Sequence, residues 1–424
     1  MSAERAVLPE YQIVPQRIPA GDDFLSDAER AALTPEIVIE RLKALKPFLA
    51  EQAPIGEAQG YPSDAAWSAI RKTGYFYLTV PKVHGGLECT FDQMLDATFA
   101  ICEGDPAIGW LASFCVMNAR SAAAFSKAAR EELFGNGRYS ILTSLLAPYG
   151  QARKVEGGYI VSGQWHWGTT IQLADWVSVS AHLETPETGK TIGAFLMPAN
   201  QVQPLKTWDA HGLIATGTHQ VRVDNVFVPE YRATPHNMQY PGWIQRIRAD
   251  YEYELFTADL RPALTLTIGV PLIGIARGAL EIYRDHLKAH FKRGTENTES
   301  VRPISQARLA RATAMVSGAE LLLRDSARRI YANRKEPDYV QEQVSFEERG
   351  RISYAANQAR EAVLFMAESA GTSLHYHSNR MSQYLRDMLV GSTHVAVDLD
   401  INLENAGRAL LGLPPQRPTA PRIA

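Results

Sequence analysis

Residues 163–176 read GQWHWGTTIQLADW, and this stretch decides how the rest of the chain is interpreted. Two tryptophans and a histidine precede two threonines, and a third tryptophan ends an apolar run. Flat side chains can form an apolar wall, and small hydroxyls can supply fixed hydrogen bonds, which is what a flat heteroaromatic ligand requires. The same residues are also typical of a β-strand packed in a core. The stretch therefore predicts either core packing or a cradle for a flat ligand.

The composition is that of an ordinary globular protein. The chain has 424 residues, of which 46% are hydrophobic, and this is enough to fill a large core. Its 43 basic and 46 acidic residues give a net charge of -3 at pH 7. Because the sequence has no basic tract that could follow a phosphate backbone, we expect no nucleic-acid partner.

Cysteine use and the N-terminal sequence favour a cytoplasmic protein. The three cysteines are odd in number and lack metal-ligand spacing, which is typical of free thiols in a reducing compartment. The opening MSAERAVLPEYQIVPQRIPAGDDF carries charges and prolines and has no apolar signal core. We therefore expect a cytoplasmic protein.

One apolar stretch has the length of a membrane span. Residues 263–280 read ALTLTIGVPLIGIARGAL. However, this stretch contains Pro271 and Arg277, and it continues into EIYRDHLKAHFKR without an interfacial belt. The pattern favours a core helix buried on most sides over a membrane helix.

The periodicity of apolar residues divides the chain into three regions. Apolar residues at three- and four-residue spacing predict an N-terminal helical domain over residues 1–137. Residues 138–243 contain β-branched, period-two stretches such as HQVRVDNVFVP, joined by turn sequences, and predict a middle antiparallel β-domain. The sequence contains no P-loop and no GxGxxG turn after a strand, so no Rossmann-type nucleotide site is predicted.

Helical periodicity returns after the predicted β-domain. Four long segments predict a C-terminal antiparallel four-helix bundle over residues 244–424, with a Pro-rich extended tail. The predicted helices cover residues 250–291, 303–333, 340–370 and 380–411. The chain is thus predicted to be mainly α with a small β-domain.

This order of regions resembles the acyl-CoA dehydrogenase fold over nearly all of the chain. In that superfamily a strand of the middle domain carries Gly-x-x-x-Trp-x-Thr followed by Ala-Asp/Asn-Trp. This chain matches the pattern at Gly163, Trp167, Thr169, Ala174, Asp175 and Trp176. The segments FYLTVPKVHGGLECTFDQML and HGLIATGTHQVRVDNVFVPE are similar to two further markers of the fold.

The resemblance implies a flavin site at this strand. Trp167 would flank the isoalloxazine ring, and the hydroxyl or backbone of Thr169 would hydrogen-bond near flavin N5, with Thr170 in the same cofactor-binding set. The residues alone leave another interpretation open. In it Trp165, Trp167 and Trp176 belong to the core of the β-domain, and the threonines are strand formers.

The sequence departs from the dehydrogenases at the catalytic base. Dehydrogenases of this fold commonly use a Glu shortly after an Arg-Asp pair in the last long helix. Here Arg386 and Asp387 are present, but residues 393–395 are Thr-His-Val. A histidine after this pair is similar to the group D flavin-dependent monooxygenases, such as the oxygenase components of 4-hydroxyphenylacetate 3-hydroxylase and the steroid-phenol hydroxylases. The segments NLENAGRALLGLPP and GDPAIGWLASF also resemble that branch.

This resemblance implies the oxygenase component of a two-component system. A separate NAD(P)H:flavin reductase would supply reduced flavin, FMN in preference to FAD, and a C4a-hydroperoxyflavin formed with O2 would oxygenate a small aromatic or apolar substrate. The resemblance also implies a homotetramer assembled through the C-terminal bundle. Two alternatives remain open, namely an acyl-CoA dehydrogenase or oxidase with a relocated base and a scaffold that binds no flavin.

Three residues are the catalytic candidates. His394 would handle protons, because a neutral imidazole can deprotonate a phenol or position a peroxide, although a helix-packing histidine is the alternative. Ser144 lies where related enzymes have a small polar residue between substrate and flavin. Asn118 falls where related hydroxylases often have a histidine, which leaves the mode of phenol binding open. Packing roles are the alternative for both.

The remaining candidates lie on the cofactor and substrate sides of the expected site. Lys292 and Arg293 are candidates for a position near the flavin phosphate, and Gln306 and Arg311 on the next predicted helix carry similar weight. An ordinary charged helix end is the alternative.

On the substrate side the candidates are Trp110 and His375. His375 and His377 lie in a predicted loop between the last two long helices, and without a carboxylate or cysteine partner at ligand spacing they predict a pocket rim or solvent position. We expect no metal site.

Overall fold

Helices come first along the chain, one sheet follows, and helices then continue to the C-terminal part. The computed structural model describes residues 11–17, 24–185, 189–234, 250–258, 260–291 and 296–416. In this part of the chain the helices before the sheet are α1 Asp27–Ala31, α2 Pro35–Gln59, α3 Asp64–Thr73, α4 Phe91–Gly104, α5 Pro106–Ala119 and α6 Lys127–Phe134. The strands are β1 Leu142–Val155, β2 Gly158–Gly168, β3 Trp176–Thr185, β4 Gly189–Pro198, β5 Gln203–Leu205, β6 His219–Pro229 and β7 Ala233–Thr234. The later helices are α7 Glu254–Thr257, α8 Leu260–Ala289, α9 Pro303–Ala332, α10 Asp338–Ala370, α11 Arg380–Gly391 and α12 Leu399–Leu410.

Helix α5 runs through the core between the N-terminal helices and α8. Its N-cap Asp105 accepts hydrogen bonds from the backbone N–H groups of Ala107 and Ile108, and Pro106 occupies the first helical position, so the helix begins sharply. Every residue of α5 except Phe114 is buried. A helix that is apolar on all sides must be surrounded by protein, and α5 packs against α4, α8 and β1.

The sheet is mixed, which corrects the prediction of an antiparallel β-domain. Its strand order is β5, β6, β2, β1, β3, β4, β7, and β1 pairs with β3 in parallel while the other pairs are antiparallel. The parallel pair arises because the connection through residues 169–175 returns the chain to the far edge of β1, running in the same direction. Alternating hydrophobicity predicts strands, but it does not specify the partner of each strand.

Helix α8 is the apolar helix that has the length of a membrane span. By length and composition Pro262–Ala289 could cross a bilayer, with a mean hydropathy of 1.6, but 83% of its apolar window is buried inside the protein. It packs against α4, α5, α9, α10 and α11. The prediction of a core helix is confirmed.

The last predicted helix is broken into two, which corrects the single helix predicted over residues 380–411. Helix α11 ends at Gly391 and α12 begins at Leu399, with a short 3-10 turn at Val395–Val397 between them. The side chain of His394 accepts a hydrogen bond from the N–H of Ala396, and that of Asp398 accepts from Ile401. Such side-chain caps compete with helix continuation, so the break places His394 on a turn.

Two adjacent residues of α11 hold the connection between β5 and β6. Asp387 Oδ1 accepts the N–H of Leu213 at 2.5 Å, and Arg386 donates to the carbonyl of His211 at 3.0 Å. The Nη2 of Arg386 also forms an ion pair with Glu57, at 2.8 and 3.0 Å from the two carboxylate oxygens. We call the contact of Arg386 and Asp387 with residues 211–213 the α11 clamp.

The backbone in the α11 clamp is too close for a side chain at Gly212. A Cβ there would lie 2.1 Å from the carbonyl oxygen of Arg386, which belongs to a helix and cannot move aside easily. We expect Gly212→Ala to lower the free energy of unfolding by about 1–3 kcal/mol, as overpacking does. Urea denaturation with Gly318→Ala as the control checks this, because Gly318 lies in α9 with open space around it and its replacement should be neutral or stabilising by up to ~1 kcal/mol. Equal destabilisation of both variants would contradict the prediction.

Candidate functional site

The chain leaves strand β2 through a strained turn in the quoted stretch. Trp167 and Thr170 both adopt left-handed backbone conformations, with φ of 58° and 72°. This region is unusual for any residue with a side chain and is an outlier for a β-branched threonine, at a free-energy cost of about 1–3 kcal/mol. Backbone strain of this kind is concentrated at functional sites. We call residues 167–170 the Thr169 turn.

The three tryptophans of the stretch have different environments. Trp165 is fully buried, and its indole N–H donates to the carbonyl of Ser180 at 2.8 Å. Trp176 is partly buried, with the guanidinium of Arg232 4.9 Å from its ring centroid. Trp167 is 65% exposed. The packing interpretation therefore holds for Trp165, whereas Trp167 presents an indole that the described chain does not cover.

Buried hydroxyls anchor the Thr169 turn from below. The hydroxyl of Thr143 lies 2.8 Å from that of Thr170 and donates to the carbonyl of Thr169 at 3.1 Å. The hydroxyl of Thr218 donates to that of Thr169 at 3.4 Å. All four threonines are buried. They form a polar layer under the turn, which strand propensity alone does not explain.

Asn118 and Ser144 lie beside this layer. The amide of Asn118, at the end of α5, donates to the carbonyl of Leu142 at 3.0 Å and so ties α5 to the start of β1. The hydroxyl oxygen of Ser144 is buried and has no hydrogen-bond partner among the residues that the structure describes. An unpaired buried hydroxyl costs about 1–3 kcal/mol, so this group is available to bond a ligand atom or a bound water.

His394 lies at the break between α11 and α12. Its Nδ1 accepts the N–H of Ala396 at 3.1 Å, and its ring meets that of Trp110 edge-on, with 6.2 Å between centroids. Burial lowers the pKa of His394 to about 4, so the ring is neutral at pH 7. Because Nδ1 accepts a hydrogen bond, the neutral ring carries its hydrogen on Nε2. The geometry therefore favours a hydrogen-bond donor over a base that takes a proton from a phenol.

Helix α5 connects the two groups of candidate residues. Trp110 is buried, and a Cβ on Gly391 would lie 2.8 Å from its ring, so the indole packs directly on the end of α11. Trp110 and Asn118 are eight residues apart, which corresponds to about 12 Å along the helix. We call residues 392–398, between α11 and α12, the His394 turn. One end of α5 thus contacts the His394 turn through Trp110, and the other end contacts β1, the strand next to the Thr169 turn.

The candidates for the flavin phosphate, and His375 on the substrate side, have no described contact with the Thr169 turn or with His394. The side chain of Gln306 is exposed and donates to the carbonyl of Ser300 at 3.1 Å, and the guanidinium of Arg311 lies 4.5 Å from the ring centroid of Phe365. His375 is exposed at the end of a 3-10 turn. Lys292 and Arg293 lie outside the described residues. Within the described part of the chain, no group of three or more His, Cys, Asp and Glu residues could hold a metal ion.

Several residues of the site were not found from the sequence. Thr216, Thr218 and His219 reach it from the TGTH segment that begins β6. His219 Nδ1 accepts the N–H groups of Thr207 and Trp208 at 3.2 and 3.0 Å, and burial lowers its pKa to about 4. The cluster of threonines in ATGTH could have indicated these residues, but we interpreted that segment only as a marker of the fold.

Comparison with known proteins first defines the class of fold. Residues 266–399 match the family described as acyl-CoA dehydrogenase, C-terminal domain. The fold matches 3-HSA hydroxylase from Rhodococcus sp. RHA1 with a TM-score of 0.82, at 24% identity over 92% of this chain and 99% of that one. It also matches XiaF from Streptomyces sp. in complex with FADH2 and glycerol, and the complex of TdsC from Paenibacillus sp. A11-2 with FMN and indole. The match to XiaF has a TM-score of 0.81 at 23% identity and covers 92% of this chain and 99% of that one. The match to TdsC has a TM-score of 0.76 at 20% identity and covers 90% of this chain and 99% of that one. The fold is that of the acyl-CoA dehydrogenases.

Sequence relatives then define the family within that fold. The chain is 30% identical over 383 residues to the pigment production hydroxylase of Rhodococcus sp. (strain ATCC 21145), covering 90% of this chain and 98% of the relative. It is 27% identical to the flavin-dependent monooxygenase oxygenase subunit HsaA of Rhodococcus jostii (strain RHA1), covering 89% and 98%. The chain belongs to the family of oxygenase components of flavin-dependent monooxygenases. It is an oxidoreductase, and the relatives support this activity over the dehydrogenase alternative.

The lowered pKa values of His394 and His219 predict how stability depends on pH. In the unfolded chain both imidazoles regain a pKa of about 6.5 and bind protons that the folded chain excludes. The contribution of these two histidines to the free energy of unfolding should therefore fall as the pH decreases from 7 to 5, by at most about 1.4 kcal/mol per pH unit for each histidine. Asp387, whose pKa burial raises to about 8, contributes in the opposite direction, so the effect of His394 is measured as a difference between variants.

Urea denaturation at pH 5, 6 and 7 measures this dependence. We expect His394→Asn to remove one histidine's share of the slope, and substitution of the exposed His377 by Asn to leave the slope at its wild-type value. An unchanged slope in His394→Asn would show that the folded protein does not exclude the His394 proton.

Proposed function

We propose that this protein uses reduced flavin and O2 to insert one oxygen atom into a small, largely apolar aromatic molecule, and that a separate NAD(P)H:flavin reductase supplies the flavin. Membership of the family supports the reaction class. The observation that carries the assignment of the site is the strained Thr169 turn, which combines an exposed indole with buried hydroxyls. The unpaired hydroxyl of Ser144 lies on the adjoining strand.

The residues at the Thr169 turn fit a flavin ring. A tricyclic ring needs an apolar face and a few fixed polar contacts at its edge, and Trp167 supplies the first while Thr169 and Ser144 supply the second. Bound reduced flavin would activate O2, transferring one oxygen atom to the substrate while the other leaves as water. Thr169 would hydrogen-bond at N5, and Ser144 would complete its bonding toward the ligand.

His394 and Trp110 would act at the other end of α5. The Nε2–H of His394 would donate to an acceptor in the pocket, and its low pKa keeps it neutral throughout the physiological range. Trp110 and the neighbouring Phe114, with ring centroids 5.6 Å apart, would form an apolar wall on the substrate side. Asn118 would act as a tether, since its amide already bonds to the backbone of β1. An apolar wall with few polar groups favours an aromatic substrate.

We propose reduced FMN in preference to FAD. The solved structures of similar fold include one with FADH2 and one with FMN, so flavin binding in general has support from this fold. Lys292, Arg293 and Gln306 stay predictions for the phosphate, and His375 stays a prediction for the substrate side.

We also propose that the protein is a cytoplasmic homotetramer. Leu410, Leu411 and Leu413, at the end of α12 and just beyond it, are 72%, 76% and 47% exposed. Contiguous exposed leucines are typical of a surface that a second copy covers. Cys89, Cys102 and Cys115 are buried free thiols, in keeping with a reducing compartment.

Rapid mixing of the protein and anaerobically reduced FMN with oxygenated buffer tests the reaction class. We expect a transient near-ultraviolet absorbance band before the oxidised-flavin spectrum appears, because a water-excluding site slows the decay of the oxygenated flavin. The same measurement with reduced FAD ranks the two cofactors. Direct reoxidation with neither flavin showing a transient would contradict the proposal.

Two substitutions of His394 separate its roles as donor and as turn cap. Both His394→Asn and His394→Ala remove the Nε2–H and should divert at least about tenfold more of the oxygen to hydrogen peroxide, as expected when a general hydrogen-bond donor is lost. His394→Asn retains an acceptor for the N–H of Ala396, so it should be more stable than His394→Ala by about 0.5–2 kcal/mol. Peroxide release per NADH, with the reductase present, and urea denaturation measure the two effects. Wild-type coupling in both variants would remove His394 from the mechanism.

A further inference from the structure

A chain of buried hydroxyls runs from Thr169 toward the α11 clamp. The hydroxyl of Thr218 donates to that of Thr169 at 3.4 Å and lies 2.9 Å from the hydroxyl of Thr216. Thr216 in turn donates to the carbonyl of Leu213 at 2.8 Å. The three threonines are 4–7% exposed. The chain thus runs from the α11 clamp to the Thr169 turn.

With the donors that the structure shows, three contacts take their hydrogen from Thr216 or Thr218, but these two hydroxyls have only two hydrogens. Each hydroxyl has one hydrogen, and the 2.9 Å contact between Thr216 and Thr218 needs a hydrogen from one of the two. If Thr216 donates to Thr218 and Thr218 donates to Thr169, the hydrogen of Thr169 is free to bond an acceptor on the ligand. Thr169 is then a hydrogen-bond donor.

The opposite order changes what Thr169 offers. If Thr216 donates to the carbonyl of Leu213 and Thr218 donates to Thr216, no hydrogen of the chain points at Thr169. The hydrogen of Thr169 would then turn to the oxygen of Thr218, which reverses the direction of the 3.4 Å contact that the structure shows, and the lone pairs of Thr169 would face the flavin. Thr169 is then a hydrogen-bond acceptor.

The carbonyl of Leu213 allows both orders. It accepts the indole N–H of Trp208 at 3.0 Å and the backbone N–H of Thr216 at 3.0 Å, so it keeps two hydrogen bonds when the Thr216 hydroxyl turns away. The α11 clamp fixes Leu213 through Asp387, so the end of the chain does not move when the hydrogens reverse. Only hydroxyl rotations are needed, and these are fast on the timescale of side-chain motion.

We propose that Thr216 and Thr218 are positioning residues that let Thr169 switch between donating to, and accepting from, flavin N5. This inference rests on the proposed function, in which N5 lies at Thr169. Flavin N5 carries a hydrogen in the reduced ring and none in the oxidised ring. The first order of hydrogens suits the oxidised ring, and the second suits the reduced ring that a two-component oxygenase must receive.

The proposal predicts an unequal effect of Thr218→Val on the two redox forms. In Thr218→Val with reduced FMN bound, Thr169 accepts the N5–H, but its own buried hydrogen no longer has the Thr218 oxygen as an acceptor. With oxidised FMN bound, Thr169 of the same variant still donates to N5. An orphaned buried donor is more costly than an acceptor that lacks one of its bonds. The ratio of the dissociation constants of reduced and oxidised FMN should rise roughly fivefold to tenfold, which lowers the potential of the bound flavin by about 20–30 mV.

Anaerobic binding titrations of oxidised and reduced FMN, on the full-length protein, test the proposal. Thr218→Ser keeps the hydroxyl and should retain the wild-type ratio. Thr98→Val removes a buried hydroxyl from α4, which bonds there to Met94 and Tyr75, and should also retain it. Urea denaturation of each flavin-free variant shows whether a change in affinity follows from lost stability.

Different failures separate this proposal from the proposed function. If Thr218→Val weakens both forms of FMN equally, or if Thr98→Val changes the ratio as much, the hydroxyl chain does not control Thr169 and the proposal is overturned. If Thr169→Val alters the ratio and Thr218→Val does not, the flavin site stands and only the chain is wrong. If Thr169→Val leaves both affinities at their wild-type values, flavin does not meet Thr169 and both proposals fall.

Discussion

The hydrogen bond from the N–H of Leu213 to the carboxyl of Asp387 sets the positions of the other parts of the site. Asp387 is completely buried, and burial raises its pKa to about 8, so it is held mainly as a neutral acid at pH 7. A neutral acid avoids the large cost of a buried unpaired charge and still binds one backbone N–H. Asp387 lies on α11 just before the His394 turn, and the hydroxyls of Thr216 and Thr218 connect Leu213 to Thr169. The hydrogen bond between Asp387 and Leu213 therefore links the His394 turn to the Thr169 turn.

Helix α5 provides a second, independent link between the same two turns. It is buried on nearly all sides, contacts His394 through Trp110 and contacts β1 through Asn118. A helix fixes the spacing of its residues, so the two contact points on α5, Trp110 and Asn118, are held about 12 Å apart along the helix axis. Strained backbone of this kind persists only where surrounding contacts hold it, and the buried hydroxyl of Thr143 contacts the turn at Thr169 and Thr170.

The sequence predicted what depends on local pattern and missed what depends on distant partners. The order of helices and strands follows from periodicity, and His394 was proposed because a histidine after Arg386 and Asp387 resembles the flavin-dependent monooxygenases. The parallel pairing of β1 with β3 could not be predicted, since pairing is a long-range property. Trp165 and Trp167 show the limit most directly. Residues two apart share a face in a regular strand, but the left-handed backbone at Trp167 ends that regularity and exposes its indole.

The hydroxyls behind Thr169 were missed for the same reason. Thr143, Thr169 and Thr218 come from three separate segments, and their contacts exist only after the sheet has formed. The break between α11 and α12 was missed because apolar spacing continues through it, whereas the caps that cause the break are side-chain hydrogen bonds of His394 and Asp398. A pattern of apolar spacing does not show where side-chain hydrogen bonds replace the backbone hydrogen bonds of a helix.

The break at residues 392–398 also bears on how such a site can diversify. Within a continuous helix, inserting one residue rotates every later side chain by about 100°, which would turn the packed face of α12 away from α10. A turn absorbs an inserted or deleted residue without that rotation. The segment that carries His394 can therefore vary in length and composition over evolution while both flanking helices keep their register in the core.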